Sequence, residues 1–221
     1  MKRLKQILFI LIILMSTRYA MTFDGSAQAK DVPRYDSSQD LLILIDFQNV
    51  YLPGQPWACP TMEEAIENTL AIIHVPGAPD FVLTQYIAPT NPVGRWKQYN
   101  EQYAEINADE FLCDFPDSVR QIITDKNLIV KDTFSSLKST ELRARLDGKS
   151  RVVLTGVVAE CCVLATMLDA IDLGYEVIYL YDCISGFTPE NEQAIRTLAV
   201  SFSPIHTRVM SSKEYLDLIQ Q

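Results

Sequence analysis

Six short apolar runs alternate with segments of helical pattern along this chain of 221 residues, and that alternation constrains its fold more than any other feature. The runs are rich in Val, Ile and Leu without polar alternation, which is typical of strands buried on both faces of a sheet. They are Leu41–Asp46, Asp80–Ile87, Asn127–Lys131, Arg151–Gly156, Tyr175–Tyr181 and Ile205–Met210. The pattern predicts an α/β fold, Rossmann-like and doubly wound, with a six-stranded parallel sheet in the order 3-2-1-4-5-6 and helices on both faces.

Helix signals fall between these runs. Capping boxes are predicted at Thr61–Glu64 and Ser211–Glu214, and Thr188-Pro189 places a cap before a proline at the first helical position. Gly174 is predicted to end a helix that begins at about Cys162. The stretch after the second run is rich in Pro and aromatic residues and is predicted to be a long loop.

The first 29 residues have the pattern of a secretory signal peptide. Lys2, Arg3 and Lys5 precede a short apolar run, and residues 27–29 (Ala-Gln-Ala) form a small-x-small cleavage site. We therefore expect an exported chain, periplasmic or secreted, with one domain over residues 30–221 and no stable membrane association after processing. Two alternatives remain open: an uncleaved anchor, and a misplaced start codon that would leave the protein cytoplasmic.

The charge balance argues against nucleic-acid partners. The net charge is −9, and it becomes −12 without residues 1–29, which hold four Lys or Arg and one Asp. An acidic surface repels phosphate backbones, so we predict no nucleic-acid partner. The sequence also contains no G-x-G-x-x-G after the first strand and no G-x-x-x-x-G-K-[ST]. We therefore predict no nucleotide cofactor, and no other cofactor is indicated.

The five cysteines do not suggest a metal site. They are Cys59, Cys113, Cys161, Cys162 and Cys183, and none forms a C-x-x-C pair. The only histidines are far apart in the sequence, so a zinc site is poorly supported and no metal is predicted. An odd number of cysteines leaves at least one thiol unpaired within the monomer. A thiol redox protein using Cys161 and Cys162 is an alternative, although adjacent cysteines rarely form an unstrained disulfide.

Three reactive side chains fall at predicted carboxyl ends of strands. Asp46 ends the first strand, Lys131 ends the third, and Cys162 follows the fourth at the start of a helix. In open α/β sheets, ligands bind beyond the carboxyl ends of the strands, where the strand order reverses. Strands one and four are neighbours there in the predicted order, so we expect Asp46 and Cys162 to face each other.

These residue types suit nucleophilic hydrolysis of an amide. A thiol at a helix N-terminus beside the Lys131 ammonium is expected to have a lowered pKa. Asp46 in a water-poor cleft would accept the thiol proton and later deliver it to a leaving amine. Each residue alone also has a structural explanation: a cysteine packs in a core, an aspartate caps a turn, and a lysine is solvated.

The segments that contain these residues resemble the isochorismatase-like cysteine hydrolases, the superfamily of nicotinamidases and N-carbamoylsarcosine amidohydrolases. Leu42–Asn49 looks like the first strand of the family, Lys131–Leu142 is similar to its lysine segment, and Thr155–Val163 resembles its nucleophile loop. The resemblance covers about residues 41–211.

This resemblance implies a catalytic triad of Asp46, Lys131 and Cys162 that cleaves a C–N bond through a thioester. It also implies a cis peptide bond between Val158 and Ala159. The N–H groups of this loop, from Val158 and Ala159 to Cys162, are expected to hold the oxyanion of a tetrahedral intermediate.

The expected substrate is a small amide or carbamoyl compound. Phe47, Tyr86 and Trp96 border the predicted cleft and are expected to form its apolar walls. Nicotinamidases carry an Asp and several His after the second strand, but Thr84–Pro92 contains neither. Isochorismatases proper cleave a vinyl ether and lack the nucleophilic Cys, so Cys162 favours an amidase. A vinyl-ether hydrolase and a catalytically silent binding protein remain alternatives. We also expect the protein to be a homo-oligomer.

Overall fold

The strands form one parallel sheet in the order β3-β2-β1-β4-β5-β6, which confirms the predicted fold class and strand order. They are β1 (Asp40–Ile45), β2 (Asp80–Tyr86), β3 (Leu128–Lys131), β4 (Arg151–Val157), β5 (Glu176–Ser185) and β6 (Thr207–Met210). This structure, a computed structural model, describes residues 34–221, and residues 35–221 form one compact unit. Every residue of β1 is buried, which explains the absence of polar alternation in its sequence.

Nine α-helices lie within residues 34–221. They are α1 (Met62–Ile73), α2 (Arg95–Gln102), α3 (Ala104–Ala108), α4 (Glu110–Cys113), α5 (Asp117–Arg120), α6 (Thr140–Ala144), α7 (Leu164–Asp172), α8 (Pro189–Ser201) and α9 (Ser212–Ile219). Single helical turns cover Ser37–Gln39, Asn49–Tyr51 and Ser136–Lys138, and a π-helical turn covers Ala159–Val163.

Two apolar layers enclose the sheet, because successive side chains of a strand point to opposite faces. Leu42 and Leu44 of β1 belong to the layer that contains residues of α1 and α9. Leu41, Ile43 and Ile45 belong to the layer that contains residues of α7 and α8. Both faces of the sheet are thereby covered, and its carboxyl edge remains as the place for a site.

The connection between β2 and β3 differs from the prediction. In place of a long loop it contains four short helices, α2 to α5. The Asp109 side chain caps α4 by accepting from the Leu112 N–H at 3.0 Å. Helices of four to eight residues are too short for apolar periodicity to reveal them in the sequence.

Two of the three predicted helix caps are confirmed. Ser211–Glu214 forms a complete capping box at α9, and the Thr188 side chain caps α8 before a proline. The cap predicted at Thr61 is wrong, because its side chain makes no capping hydrogen bond. Its hydroxyl instead lies 2.7 Å from Ser185 Oγ and 2.9 Å from Glu192 Oε1, two partners that the local sequence does not reveal.

β5 extends beyond its predicted end at Tyr181, to Ser185. Its pairing with β6 covers only Val177–Leu180, because β6 ends at Met210. Its pairing with β4 shifts register between Leu154 and Gly156. The carboxyl half of β5 therefore has an edge that no strand covers within the described part of the chain.

The predicted signal peptide, residues 1–29, lies outside the described residues. Among residues 34–221, none of the helices has the length and hydropathy that crossing a membrane requires.

Candidate active site

The ends of three strands bring Asp46, Lys131 and Cys162 together. Asp46 follows the last residue of β1, and Lys131 is the last residue of β3, two strands away. The long lysine side chain crosses the end of β2, and its Nζ lies 2.7 Å from Asp46 Oδ2 and 3.5 Å from Cys162 Sγ. The arrangement predicted from the strand ends is thus present as a contact cluster at the carboxyl edge of the sheet.

Asp46 is fixed by its backbone and by one neighbouring hydroxyl. It is fully buried and has a φ of 52°, an uncommon conformation for a residue other than glycine. The Thr84 hydroxyl donates to Oδ1 at 2.7 Å. Oδ2 lies beside the Lys131 ammonium but has no aligned hydrogen bond from any described residue. Oδ2 is therefore the carboxylate oxygen left to accept a proton.

Gly156 allows β4 to pass close to β1 beside this site. A Cβ at this position would collide with the carbonyl oxygen of Ile45 and would lie 2.6 Å from its nitrogen. The φ of Gly156 is +112°, which side chains rarely tolerate. Glycine therefore sets the separation between the strand that leads to Asp46 and the strand that leads to Cys162.

The Lys131 ammonium is held by four groups. Besides Asp46 and Cys162, it donates to the carbonyls of Thr133 at 2.9 Å and Phe134 at 3.1 Å. Burial alone would lower the pKa of Lys131, but the negative charges of Asp46 and Cys162 outweigh burial and raise it. The side chain is therefore a fixed positive charge at neutral pH.

Cys162 lies in the π-helical turn Ala159–Val163, just before α7, and is 4% exposed. Burial raises the pKa of its thiol, Lys131 lowers that pKa, and Asp46 raises it further. The net direction is upward, so the expectation of a lowered pKa is wrong. Placement near a helix terminus is visible in a sequence, whereas the loss of solvent around a thiolate is a tertiary effect.

A short network ties the nucleophile turn to the loop that surrounds Lys131. The Thr166 hydroxyl donates to the Cys162 carbonyl at 2.7 Å and accepts from the Ser136 N–H at 2.9 Å. The Ser135 hydroxyl donates to Asp169 Oδ2 at 2.6 Å. Both links join α7 to the segment that supplies the carbonyl partners of Lys131.

The cis peptide bond lies between Val157 and Val158, one residue earlier than the predicted Val158–Ala159 bond. β4 continues to Val157 rather than ending at Gly156, and the cis bond joins its last residue to the residue that precedes the π-helical turn. The predicted bond would join Val158 to the first residue of the π-helical turn, whereas the observed cis bond lies one residue before it.

The backbone N–H groups of this turn differ in whether they pair with the carbonyl of Val158. The Val158 carbonyl accepts hydrogen bonds from the N–H groups of Cys161 at 3.0 Å and Val163 at 3.2 Å. It accepts none from the N–H group of Cys162. The N–H of Ala159 donates to no backbone carbonyl of the described residues. Val158 thus contributes its carbonyl to the turn, and the role of Val158, Ala159 and Cys162 as oxyanion donors stays a prediction.

Two of the three predicted apolar walls lie near the cluster. The Tyr86 ring centroid is 5.7 Å from Lys131 Nζ and 6.3 Å from the ring of half-buried Trp96. Phe47 is only 1% exposed and packs within a core layer, and its role as a cleft wall stays a prediction. It follows Asp46 directly, but its side chain points into the layer beneath the sheet edge.

Three further aromatic residues were missed. Phe134 lies 4.9 Å and Tyr99 5.3 Å from Trp96, between ring centroids. Burial raises the pKa of Tyr51, and the nearby Cys162 and Asp46 raise it further. Tyr51 and Phe134 follow triad residues closely in the sequence and could have been considered, whereas nothing near Tyr99 in the sequence connects it to the site.

Within residues 34–221, no group of three or more His, Cys, Asp or Glu side chains is arranged to hold a metal ion. The absence of a metal requirement stays a prediction from the sequence.

Comparison with known proteins gives one family. The family model "Isochorismatase domain" matches residues 40–211. The uncharacterized isochorismatase family protein YddQ of Bacillus subtilis is 28% identical over 159 residues, which are 70% of this chain and 82% of YddQ. N-carbamoylsarcosine amidase of Arthrobacter sp is 28% identical over 162 residues, which are 67% of this chain but only 60% of the amidase.

Solved structures share the fold. An isochorismatase-like hydrolase from Alkaliphilus metalliredigens has a TM-score of 0.65 at 23% identity, covering 82% of this chain and 98% of that chain. A cysteine hydrolase from Pseudomonas syringae pv. phaseolicola 1448A has a TM-score of 0.71 at 15% identity, covering 85% of this chain and 96% of that chain.

Proposed function

Because the chain belongs to the isochorismatase family of hydrolases, we propose that it is a cysteine amidohydrolase that cleaves the C–N bond of a small amide or carbamoyl compound. One observation carries the proposal: a carboxylate, an ammonium and a thiol, all buried, meet at the carboxyl edge of the sheet. Burying two charges is costly, and a protein that only binds a ligand has no need of them beside a thiol.

The proposed reaction starts with a protonated thiol. As Cys162 Sγ attacks the acyl carbon, Asp46 Oδ2 takes the thiol proton, and the Lys131 ammonium stabilises the negative charge on sulfur. The N–H groups of Ala159 and Cys162 hold the oxyanion that forms on the acyl oxygen. The C–N bond then breaks, Asp46 returns the proton to the leaving nitrogen, and an acyl-thioester remains on Cys162.

Water completes the cycle. Asp46 takes a proton from the water that attacks the thioester, the C–S bond breaks, and the proton passes to the departing sulfur. The products are ammonia or a small amine and a carboxylic acid, or carbamic acid from a carbamoyl compound. The raised pKa of Cys162 suits this scheme, because proton transfer to Asp46 accompanies attack and no free thiolate is needed beforehand.

The neighbouring aromatic side chains support a small, flat and neutral substrate. Tyr86, Trp96 and Phe134 lie close together on the side of Lys131, where the Phe134 carbonyl contacts Nζ. Burial raises the pKa of Tyr86 to about 12, so the phenol is neutral at physiological pH. Aromatic walls with few polar groups select planar, uncharged groups.

The test is to trap the acyl-enzyme. Hydroxylamine added during turnover of a panel of small carboxamides and carbamoyl compounds should yield a hydroxamate or a hydroxyurea, and mass spectrometry should find the acyl group on Cys162 alone. Cys162→Ala should abolish ammonia release, while Cys161→Ala, the matched neighbour, should retain it. Ammonia release by Cys162→Ala would disprove the triad, and turnover of vinyl ethers without any amide would favour the isochorismate-like alternative.

A further inference from the structure

A cavity separate from the candidate active site lies at the uncovered edge of β5, between α1 and α8. Its volume is about 280 Å³, just below the roughly 300–1,000 Å³ of pockets for drug-sized ligands. It is lined by Thr61, Glu64, Tyr179, Tyr181, Asp182, Ile184, Pro189, Glu192, Gln193 and Arg196. None of these residues belongs to the triad, so the cavity is distinct from the candidate active site and fits a small ligand.

Tyr179 contributes a phenol to the lining of this cavity. The residue is 1% exposed. Burial raises the pKa of Tyr179, the charge of Glu192 raises it further, and Arg196 lowers it in part. The phenol is therefore neutral and keeps its proton for donation.

Arg196 supplies a positive charge on the same wall. Its guanidinium carbon lies 3.6 Å from the centroid of the Tyr181 ring, which orients the guanidinium plane. No carboxylate oxygen of residues 34–221 lies within 4.0 Å of it. An oriented guanidinium without an acidic partner is suited to bidentate binding of a carboxylate.

Three carboxylates line the rest of the cavity. The two oxygens of Asp182 accept from the N–H and hydroxyl of Ser212, both at 2.7 Å. Glu192 Oε1 accepts from the Gly186 N–H at 2.9 Å, and Glu64 is exposed at the rim. These hydrogen bonds orient the carboxylates without neutralising them, so the cavity carries negative charge opposite a single unpaired cation.

We propose that this cavity binds a small zwitterion of the amino-acid type. Its carboxylate would pair with Arg196 and accept the Tyr179 hydroxyl proton in a hydrogen bond, and its ammonium would lie among Glu64, Asp182 and Glu192. A simple anion would meet three carboxylates, and a simple amine would meet Arg196. Only a ligand with both charges satisfies both walls.

The experiment is calorimetric titration of the full chain. The probes are glycine, β-alanine and γ-aminobutyrate, each with the monoanion and the amine of the same chain length. At least one zwitterion should bind more tightly, by about tenfold or more, than its monoanion and its amine, because each of these two probes lacks one charge-assisted contact. Equal binding of all three classes, or none by any zwitterion, would disprove the proposal.

Two variants locate the binding. Arg196→Met keeps the packing on Tyr181 and should weaken zwitterion binding about tenfold or more, while Tyr179→Phe should weaken it about threefold. Tyr179→Phe keeps the ring that packs in the core layer, so it should change thermal unfolding little. Arg143→Met, at an exposed arginine of α6, is the matched control and should bind as wild type does. Unchanged affinity in both cavity variants would place the binding elsewhere and overturn the proposal.

Discussion

Gly156 determines a distance on which the candidate site depends. The strand segments that end next to Asp46 and Cys162 lie closer at this point than any residue with a side chain would allow. The exposed Gly148 also has a positive φ, but no neighbouring atom lies where a Cβ would meet it. The two positions therefore separate the effect of backbone conformation from the effect of strand approach.

We predict that Gly156→Ala destabilises the protein by about 4 kcal/mol or more, or prevents folding, because the Cβ would collide with the Ile45 backbone. Gly148→Ala should cost only about 1 kcal/mol, which reflects its φ of +73° alone. Urea denaturation followed by circular dichroism measures both. Equal destabilisation by Gly156→Ala and Gly148→Ala would show that the close approach of β4 to β1 does not affect the free energy of unfolding.

For single residues, the sequence predicts which side chains form the candidate site better than it predicts their burial and pKa shifts. Asp46, Lys131 and Cys162 could be selected because each falls at the end of a predicted strand. The direction of the Cys162 pKa shift and the burial of Phe47 could not, because both depend on which segments cover the residue. Those segments come from distant parts of the chain.

Among the elements, α7 and the loop before α6 act as one unit. Thr166 joins them by two hydrogen bonds, one to the turn that carries Cys162 and one to Ser136. The same loop supplies the Thr133 and Phe134 carbonyls that hold Lys131. Thr166 is therefore a positioning residue that relates the thiol to the ammonium without touching either.

We predict that Thr166→Val lowers kcat about tenfold with little change in KM, because the loop around Lys131 loses its link to the nucleophile turn. It should also cost about 2 kcal/mol of stability, since the Ser136 N–H is left buried without a partner. Thr166→Ser should restore both. Thr69→Val removes a buried hydroxyl that likewise donates to the carbonyl four residues earlier, and it should leave kcat within about twofold. A matching loss of kcat in Thr69→Val would mean that the effect is one of general stability.

Elements with local signals were predicted well, and those without were not. Ser211–Glu214 forms its capping box from residues three positions apart, so the sequence contains the whole interaction. Thr61 has the same pattern, but its hydroxyl bonds to Ser185 and Glu192, more than 100 residues away. The Thr61 hydroxyl therefore bonds to these tertiary partners instead of capping the helix.

The molecule as a whole keeps several ionisable groups in their neutral forms. Burial raises the pKa values of the Cys59, Cys162 and Cys183 thiols above their ordinary value of 9.0. In the unfolded chain these thiols would ionise near that value, whereas in the fold they remain protonated. Their contribution to stability is thus fully present below about pH 9 and is lost as pH rises toward the folded pKa values.

We predict that the free energy of unfolding falls steeply above about pH 9 under reducing conditions. Each buried thiol should contribute a loss of about 2 kcal/mol between about pH 8.5 and about pH 10.5. Cys183→Ala should therefore show a shallower decline than wild type by about that amount, apart from a constant offset from the lost side chain. Denaturant titrations across this pH range measure it, and parallel curves for the two proteins would contradict the prediction.

The order of the sheet and the meeting of three strand ends followed from periodicity and topology, because parallel α/β folds obey few rules. The aromatic surroundings of the triad did not follow, since Tyr99 reaches it from a helix that no sequence period reveals. The sequence thus predicts the frame and its reactive groups, but not the side chains that a substrate would meet.

The segment between β2 and β3 has a consequence for how this protein can change over generations. The triad residues stand at strand ends fixed by the buried sheet, whereas Trp96 and Tyr99 stand on a short helix outside it. Phe115 and Val119 of the same segment are core residues, so changes are tolerated better at Trp96 and Tyr99 than in the rest of the segment. If the proposed function holds, substitutions at these two aromatic positions would alter which substrates are accepted and leave the three reactive side chains in place.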